Sequence, residues 1–355
     1  MAVREELLRN IRSVEPYVPG EQPQHKVVKL NTNENPYPPA PGVERVLKEM
    51  DTDRFRLYPD PTADELVGSL ADYYGVGKDQ VFVGVGSDDV LAVAFMTFFN
   101  GKKPIFFPDI TYSFYPVWAE LFGIPYEKKA VNDAFEIQKE DYYAENGGVV
   151  FPNPNAPTGA FLSLEVVEDI IQHNQDVVVI VDEAYIDFGG DTAKELIRKY
   201  DNVLVVQTYS KSRSLAGLRI GYAIGNNELI KAMNDVKYSY NSYTMNEPSI
   251  VLGTAVLEDE EYFQETRNKI IDTREWFQIE MRKIGFSFAD SKANFIFATH
   301  ESVPAKEIFE AAKKAKIYVR YFDQPRINNY LRITIGTREE METLLDFLKE
   351  FTATK

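Results

Sequence analysis

The sequence predicts an α/β protein: a mostly parallel sheet covered by helices, followed by a second, smaller α+β domain. Three observations carry this expectation. From about residue 63, short Val/Ile/Phe-rich runs that are apolar on both faces alternate with amphipathic helical stretches, the pattern of doubly covered parallel strands. A long helical region near 245–284 is then followed by shorter strands and two further helices, the pattern of a separate α+β unit. Finally, 355 residues with 44% apolar and 13% aromatic content suffice for a sizeable core. At roughly 150 residues per domain that length corresponds to about two folding units.

The elements follow in order. The segment MAVREELLRNIRS places charged and apolar residues at helical spacing and lacks the apolar centre of an export signal, so it reads as a helical arm on a cytoplasmic protein. NTNENPYPPAPG, at 31–42, carries too many prolines and asparagines for regular helix or sheet and reads as a surface loop or part of a site. Strands are expected at VFVGVG (81–86), PIFFPD (104–109), GVVFPN (148–153), VVVIVDE (177–183), NVLVVQTYS (202–210) and IGYAIG (220–225). The apolar run Val90 to Phe99 is too short for the ~18 residues of a membrane span and reads as a buried helix. In the second unit, strands are expected at 293–299, 315–322 and 330–336, with helices at 304–314 and 338–351.

Composition excludes several chemistries. With 39 basic and 55 acidic residues the net charge is −16, which repels phosphate backbones and argues against nucleic acid or an anionic membrane as partner. Any phosphate site must be local. Zero cysteines remove disulfides, thiolate-bound metals and a thiol nucleophile together. His25, His173 and His300 lie apart among polar neighbours and are expected at the surface, not as metal ligands or a triad base. Chemistry must therefore use Lys, Asp, Tyr, Arg or a cofactor.

In parallel sheets, ligands collect beyond the carboxyl ends of the strands, and this sequence places its polar oddities there. VVVIVDEAYIDF runs five β-branched residues into Asp182, where a carboxylate near a sheet interior needs a partner or serves as a cap. QTYSKSRSLAGLR sets Lys211 after an apolar strand, eight positions before Arg219. A desolvated lysine there suits imine chemistry, and Thr208, Ser210 and Arg219 around it suit a phosphate. VGVGSDD opens a helix after a Gly-Val-Gly turn, so the amides of Ser87 and Asp88 could bind phosphate or simply be capped. Asn155, in FPNPNAPTG, sits in a rigid loop, and Tyr112, in PDITYSFY, could stack on a planar ligand or pack on the sheet.

Taken together, over essentially the whole chain, these segments resemble the fold type I, aspartate-aminotransferase-like family of pyridoxal 5'-phosphate enzymes. The resemblance implies a seven-stranded, mostly parallel sheet in a large domain at 31–255, a small domain at 256–355 and an N-terminal arm at 1–30 that packs on the small domain or a partner subunit. It implies that Lys211 forms the Schiff base and Arg219 holds the cofactor phosphate with Ser87, Asp88, Thr208 and Ser210. Asp182 would face the pyridine nitrogen, Tyr185 and Asn155 the ring hydroxyl, and Tyr112 the ring face. No metal is implied.

Finer motifs, EPYVPG, LNTNENPYPP, RLYPDP and VRYFDQPRINNYLRITIGT, are similar to the histidinol-phosphate aminotransferase subgroup. That likeness implies transfer between L-histidinol phosphate and 2-oxoglutarate, giving imidazole-acetol phosphate and L-glutamate, by a homodimer in which Tyr58 reaches the partner's cofactor. Arg332 and Arg320 would bind the substrate's anionic groups, with Tyr17 and Asn35 lining the pocket, while Arg326 reads as a surface charge. An aromatic amino-acid aminotransferase or a threonine-phosphate decarboxylase would keep the same cofactor residues. A ligand-sensing module of this fold would need an attached DNA-binding domain, which an acidic chain with about 30 residues before NTNENP does not offer.

Overall fold

A computed structural model describes residues 3–355. Among these, a strand β1 (Val28–Lys29) precedes seven strands that form the central sheet: β2 (Val81–Gly84), β3 (Ile105–Pro108), β4 (Tyr126–Lys129), β5 (Val149–Pro152), β6 (Val179–Asp182), β7 (Val203–Thr208) and β8 (Gly221–Gly225). Their spatial order is β2-β8-β7-β6-β5-β3-β4. The pairs from β7 to β4 run parallel, whereas β8 is antiparallel to both of its neighbours. The sheet is thus mostly parallel, as expected.

All residues of β2, β3, β5, β6, β7 and β8 are buried, because helices cover both faces and water reaches neither. The apolar residues of one face join a cluster containing Val179, Val181, Val203 and Val205, and those of the other join Ile180, Leu204, Val206 and Phe107. The exception is β4, whose sequence Tyr-Glu-Lys-Lys lies at the sheet edge and half in water. Its polarity is that of an edge strand, which is why no apolar run announces it. The run Val90 to Phe99 lies in the helix Ser87–Phe98, with Val90, Leu91, Val93, Ala94 and Phe95 buried.

The C-terminal sheet contains β9 (Phe286–Ser287), β10 (Phe295–His300), β12 (Arg320–Tyr321) and β13 (Leu331–Thr334), in the order β12-β13-β10-β9 and all antiparallel. The apolar run at 315–322 is divided: β11 (Ile317–Tyr318) pairs instead with β1, so residues 28–30 add to the C-terminal unit and Leu30 enters its core. A 24-residue helix, Glu260–Lys283, leads into this unit, and the helix Arg338–Ala353 closes it behind a capping box between Thr337 and Glu340.

Three expectations need correction. The N-terminal helix is a single turn, Glu5–Leu8, with no buried residue, because its apolar side chains have nothing to pack against within one chain. His300 is buried, its Nε2 facing the Ile284 carbonyl at 3.0 Å while Nδ1 accepts from the Val303 amide at 3.1 Å. Its polar flanks concealed a satisfied core histidine. Arg326 is no bare surface charge: it donates to Asp109 Oδ2 (2.9 Å) and to the Val131 carbonyl (2.7 Å), fastening the C-terminal unit to the end of the central sheet.

Candidate active site

The carboxyl ends of β6 and β7 and the turn after β2 open on a cavity of about 460 Å³, roofed by the C-terminal unit. Its lining includes Asp182, Tyr185, Thr208, Ser210, Lys211 and Arg219, with Ser87, Asp88 and Tyr112 on one side and Tyr17, Arg320 and Arg332 on the other. The residues of the central sheet meet because its strands end at the same rim, and Tyr17, Arg320 and Arg332 come to it from the N-terminal segment and the C-terminal unit.

At one end of the cavity lies an anion cradle. The helix Ser87–Phe98 is preceded by Gly86, which has no side chain to cap it, so its first amides remain open to a ligand. Gly86 has φ +84°, and a Cβ there would come within 2.5 Å of the Arg219 guanidinium; a Cβ on Gly221 would collide with the Gly86 carbonyl carbon and the Ser87 amide. Glycine is required at both for this close approach. Arg219 donates to Ser210 Oγ (3.3 Å) and Asp88 Oδ2 (3.2 Å), and Thr208 Oγ1 contacts Ser210 Oγ at 3.0 Å. Asp88 therefore contributes more than its amide. Its carboxylate also accepts from the Tyr112 hydroxyl at 2.7 Å, which fixes that ring at the cavity wall.

Along the floor, Asp182 is buried and accepts from the Tyr115 hydroxyl at 2.8 Å and the Ala184 amide at 3.3 Å. Burial pushes its carboxyl up to about 6, against the lowering effect of those hydrogen bonds. Tyr115 is a partner the sequence reading missed; its place three residues after Tyr112, at the helix start, was the available signal. Next in sequence, Glu183 faces the opposite side of the sheet, accepting from Thr192, the Ala193 amide and Gln207, and burial pushes it up to about 7. Lys211 Nζ stands 5.7 Å from the centre of the Tyr185 ring.

At the roof, Arg332 is half-buried and donates from Nη2 to the Asn31 carbonyl at 3.0 Å, while its buried Nε has no partner. Desolvation lowers its affinity for a proton, and Arg320 nearby lowers it further. Among the described residues neither arginine is in a salt bridge, so two guanidiniums face one cavity without a directly paired carboxylate. Tyr17 stacks on Phe114 at 4.3 Å between ring centres, at the same mouth.

Three predicted residues stand elsewhere. Asn155 does not line this cavity: its Nδ2 donates to the Ile110 carbonyl and to Thr158 Oγ1, both at 2.9 Å, and its buried Oδ1 has no partner. The amide braces its own turn, and Ala156 and Pro157 present the wall in its place. Asn35 also points away from the cavity, its Nδ2 donating to the Lys211 and Ser212 carbonyls at 3.0 and 3.1 Å. It holds the lysine loop from behind. Tyr58 is 82% exposed beside Tyr243, outside its own chain's cavity. Conversely, Asn33, Glu34 and Thr32 line the cavity without having been singled out, although N-T-N-E-N places a polar residue at every position.

These residues fit pyridoxal 5'-phosphate. An open helix terminus with a guanidinium and two hydroxyls would suit its phosphate, a buried carboxylate its ring nitrogen, a tyrosine its hydroxyl and a lysine its aldehyde.

Comparison with known proteins agrees. The model of the class I and II aminotransferases matches residues 25–348. A histidinol-phosphate aminotransferase of Clostridium botulinum is 51% identical over 340 residues, covering 96% of each chain. One from Lactococcus lactis is 50% identical over 347 residues, covering 98% of each. The crystal structure of the Sinorhizobium meliloti histidinol-phosphate aminotransferase in complex with pyridoxal-5'-phosphate superposes with a TM-score of 0.83 at 21% identity, covering 93% of this chain and 92% of that one. With its fold, its lysine-bearing cavity and relatives aligned along nearly its entire length, the chain belongs to the class I and II aminotransferase family.

Proposed function

We propose that this chain is a pyridoxal-phosphate-dependent transaminase acting on L-histidinol phosphate and 2-oxoglutarate, yielding imidazole-acetol phosphate and L-glutamate, in the reverse sense during histidine biosynthesis. About half identity to curated histidinol-phosphate aminotransferases over the whole chain supports the substrate pair. The observation that carries the reading in the structure is the pair Arg320 and Arg332, neither in a salt bridge, lining the same cavity as Lys211. Two guanidinium forks suit a dianionic phosphate in one half reaction and a dicarboxylate in the other.

When bound, pyridoxal 5'-phosphate supplies an electron sink for negative charge developing on the substrate's Cα. Asp182 keeps a proton on the ring nitrogen, since an ionised carboxylate in a buried site is stabilised by a cation beside it. Arg219, Ser210, Thr208 and the open amides at Ser87 would hold the phosphate, with Asp88 bracing Arg219. Tyr185 donates toward the ring oxygen, and Tyr112 closes one wall. Lys211 would be the group that takes a proton from the substrate's Cα and returns it, as general base and acid.

The reading includes a homodimer in the cytoplasm, with an arm at 1–30, a large domain at 31–255 and a small domain at 256–355. The exposure of Tyr58 and Tyr243 supports a partner surface there. No helix of the described residues is long and apolar enough to cross a membrane. A coupled panel offering histidinol phosphate, histidine, aromatic amino acids and threonine phosphate tests the assignment: histidinol phosphate should be the best donor, and a better aromatic donor would replace it. Borohydride reduction of the loaded enzyme should fix the cofactor on Lys211; labelling of another lysine would overturn that role.

A further inference from the structure

Tyr185 can serve the cofactor's ring oxygen only if its single proton points into the cavity, and the hydrogen bonds behind it decide that. Asn33 Nδ2 donates to the Tyr185 hydroxyl oxygen at 2.9 Å. Asn33 Oδ1 accepts from Thr334 Oγ1 at 3.1 Å, and Thr334 Oγ1 accepts from the Asn33 backbone N–H at 3.0 Å. Asn33 is 1% and Thr334 2% exposed, so water does not substitute for either contact. A backbone N–H can only donate. The Thr334 hydroxyl, having accepted it, sends its proton to Asn33 Oδ1, and turning the Asn33 amide over would leave that buried proton without an acceptor. The amide orientation is thereby fixed with its N–H₂ toward Tyr185. A phenol oxygen that already receives a hydrogen bond from behind directs its own proton forward.

We propose that Asn33 is a positioning residue that sets the direction of the Tyr185 hydroxyl, making Tyr185 a committed donor to whatever oxygen lies before it in the cavity.

Two further observations support this. The Asn155 amide is spent on Ile110 and Thr158, so it supplies no hydrogen to the ring oxygen and the task falls on Tyr185. Asn33 has φ +55°, and its carbonyl is held by Asn294 Nδ2 at 3.0 Å, so the backbone is shaped to present this side chain. Asparagine tolerates that left-handed conformation better than most residues. The relay also begins two residues from Arg332 on β13, and the Asn31 carbonyl holds Arg332 itself. One short segment thus braces both the substrate's anion site and the tyrosine that faces the cofactor.

The inference rests on the proposed role of Tyr185, and the test separates the two. Asn33→Asp keeps size, the left-handed backbone and the bond from Thr334, but its second oxygen can only accept and so captures the Tyr185 proton. The readout is the pH titration of the visible band of the holoenzyme, with the rate of cofactor loss on dilution. A donor to the ring oxygen stabilises negative charge there and lets the Lys211 nitrogen give up its proton at lower pH. Asn33→Asp should therefore raise the midpoint by about one pH unit and speed cofactor loss roughly 10-fold, the effect of losing one charge-assisted hydrogen bond. Asn33→Gly, which keeps the positive φ and carries no charge, should move both in the same direction by less.

Tyr185→Phe alone must raise the midpoint; if it does not, the role of Tyr185 fails and this inference with it. If Tyr185→Phe moves the midpoint while Asn33→Asp and Asn33→Gly leave it in place, the positioning role alone is overturned. In a Tyr185→Phe background, Asn33→Gly should add no further shift. A shift that persists there would mean that Asn33 acts on the site by some other route.

Discussion

Asp182 shows how one residue's surroundings set its chemistry. Burial pushes its carboxyl up to about 6, from an ordinary value of 3.8, with Tyr115 and the Ala184 amide opposing the rise. A folded-state value above the unfolded one means that the folded cofactor-free protein binds the extra proton more tightly. The associated stability is fully present below about 3.8 and is lost as pH rises through about 6. Urea unfolding of the cofactor-free enzyme should show this loss, and Asp182→Asn should flatten that part of the profile, leaving the contribution of Glu183, which extends to about 7. In the loaded enzyme the same substitution should retain the fold but slow the chemical step by about 10²-fold or more, by analogy with removal of a preorganised electrostatic partner. Near wild-type single-turnover rates at saturating cofactor would contradict the role. The two arginines differ in what holds them and so in expected effect. Arg332, held by the Asn31 carbonyl, should on replacement by Ala damage both half reactions roughly 10- to 150-fold in kcat/KM, whereas Arg320→Ala should weigh unequally on the two. Separate half-reaction kinetics read this, and lysine should rescue only partly because it lacks the planar fork. That Lys211, Asp182 and Arg219 lie near one another was legible from their strand-end positions, and all three line one cavity. Asn155 and Asn35 were misplaced because spacing says that a polar side chain lies near a site, not which way it points.

At the scale of elements, strands with two covered faces were legible because their apolar runs admit no other placement. β4 was not, since an edge strand half in water carries no such run. The loop N-T-N-E-N was recognised as irregular, but its alternating contacts were beyond the sequence: Asn31 holds Arg332, Asn33 holds Tyr185 and Asn35 holds the lysine loop. Asn35→Ala tests this bracing. It strips a donor from the Lys211 and Ser212 carbonyls together, and at about 1–3 kcal/mol for each group left unsatisfied in a half-buried site the protein should lose stability on that order. Hydrogen exchange should quicken around 209–215, with turnover falling while the anion site keeps its affinity for phosphate. Unchanged exchange there would show that the loop is held by its other contacts.

For the whole molecule, the central expectation concerns two chains. Tyr58 is 82% exposed and reaches no part of its own cavity, so its proposed place is the partner's site. Mixing Lys211→Ala with Tyr58→Phe subunits should create heterodimers in which one site carries both defects and the other neither. Random mixing would then restore activity toward about a quarter of wild type. No recovery above the parents, with heterodimers verified, would show that Tyr58 does not act across an interface. The sequence by itself determined the fold class, the strand-end positions of Lys211, Asp182 and Arg219, and the absence of thiols, because apolar periodicity, motif spacing and composition are local properties of the chain. The tertiary structure decided what depends on direction and on long-range contact. It turned Asn155 into its own loop and Asn35 behind the lysine, buried His300, drew Arg326 onto Asp109, and brought Thr334 across 301 positions to Asn33. Hydrogen-bond polarity and burial are set by what the folded chain places on every side of a group, and no stretch of neighbouring residues contains that information.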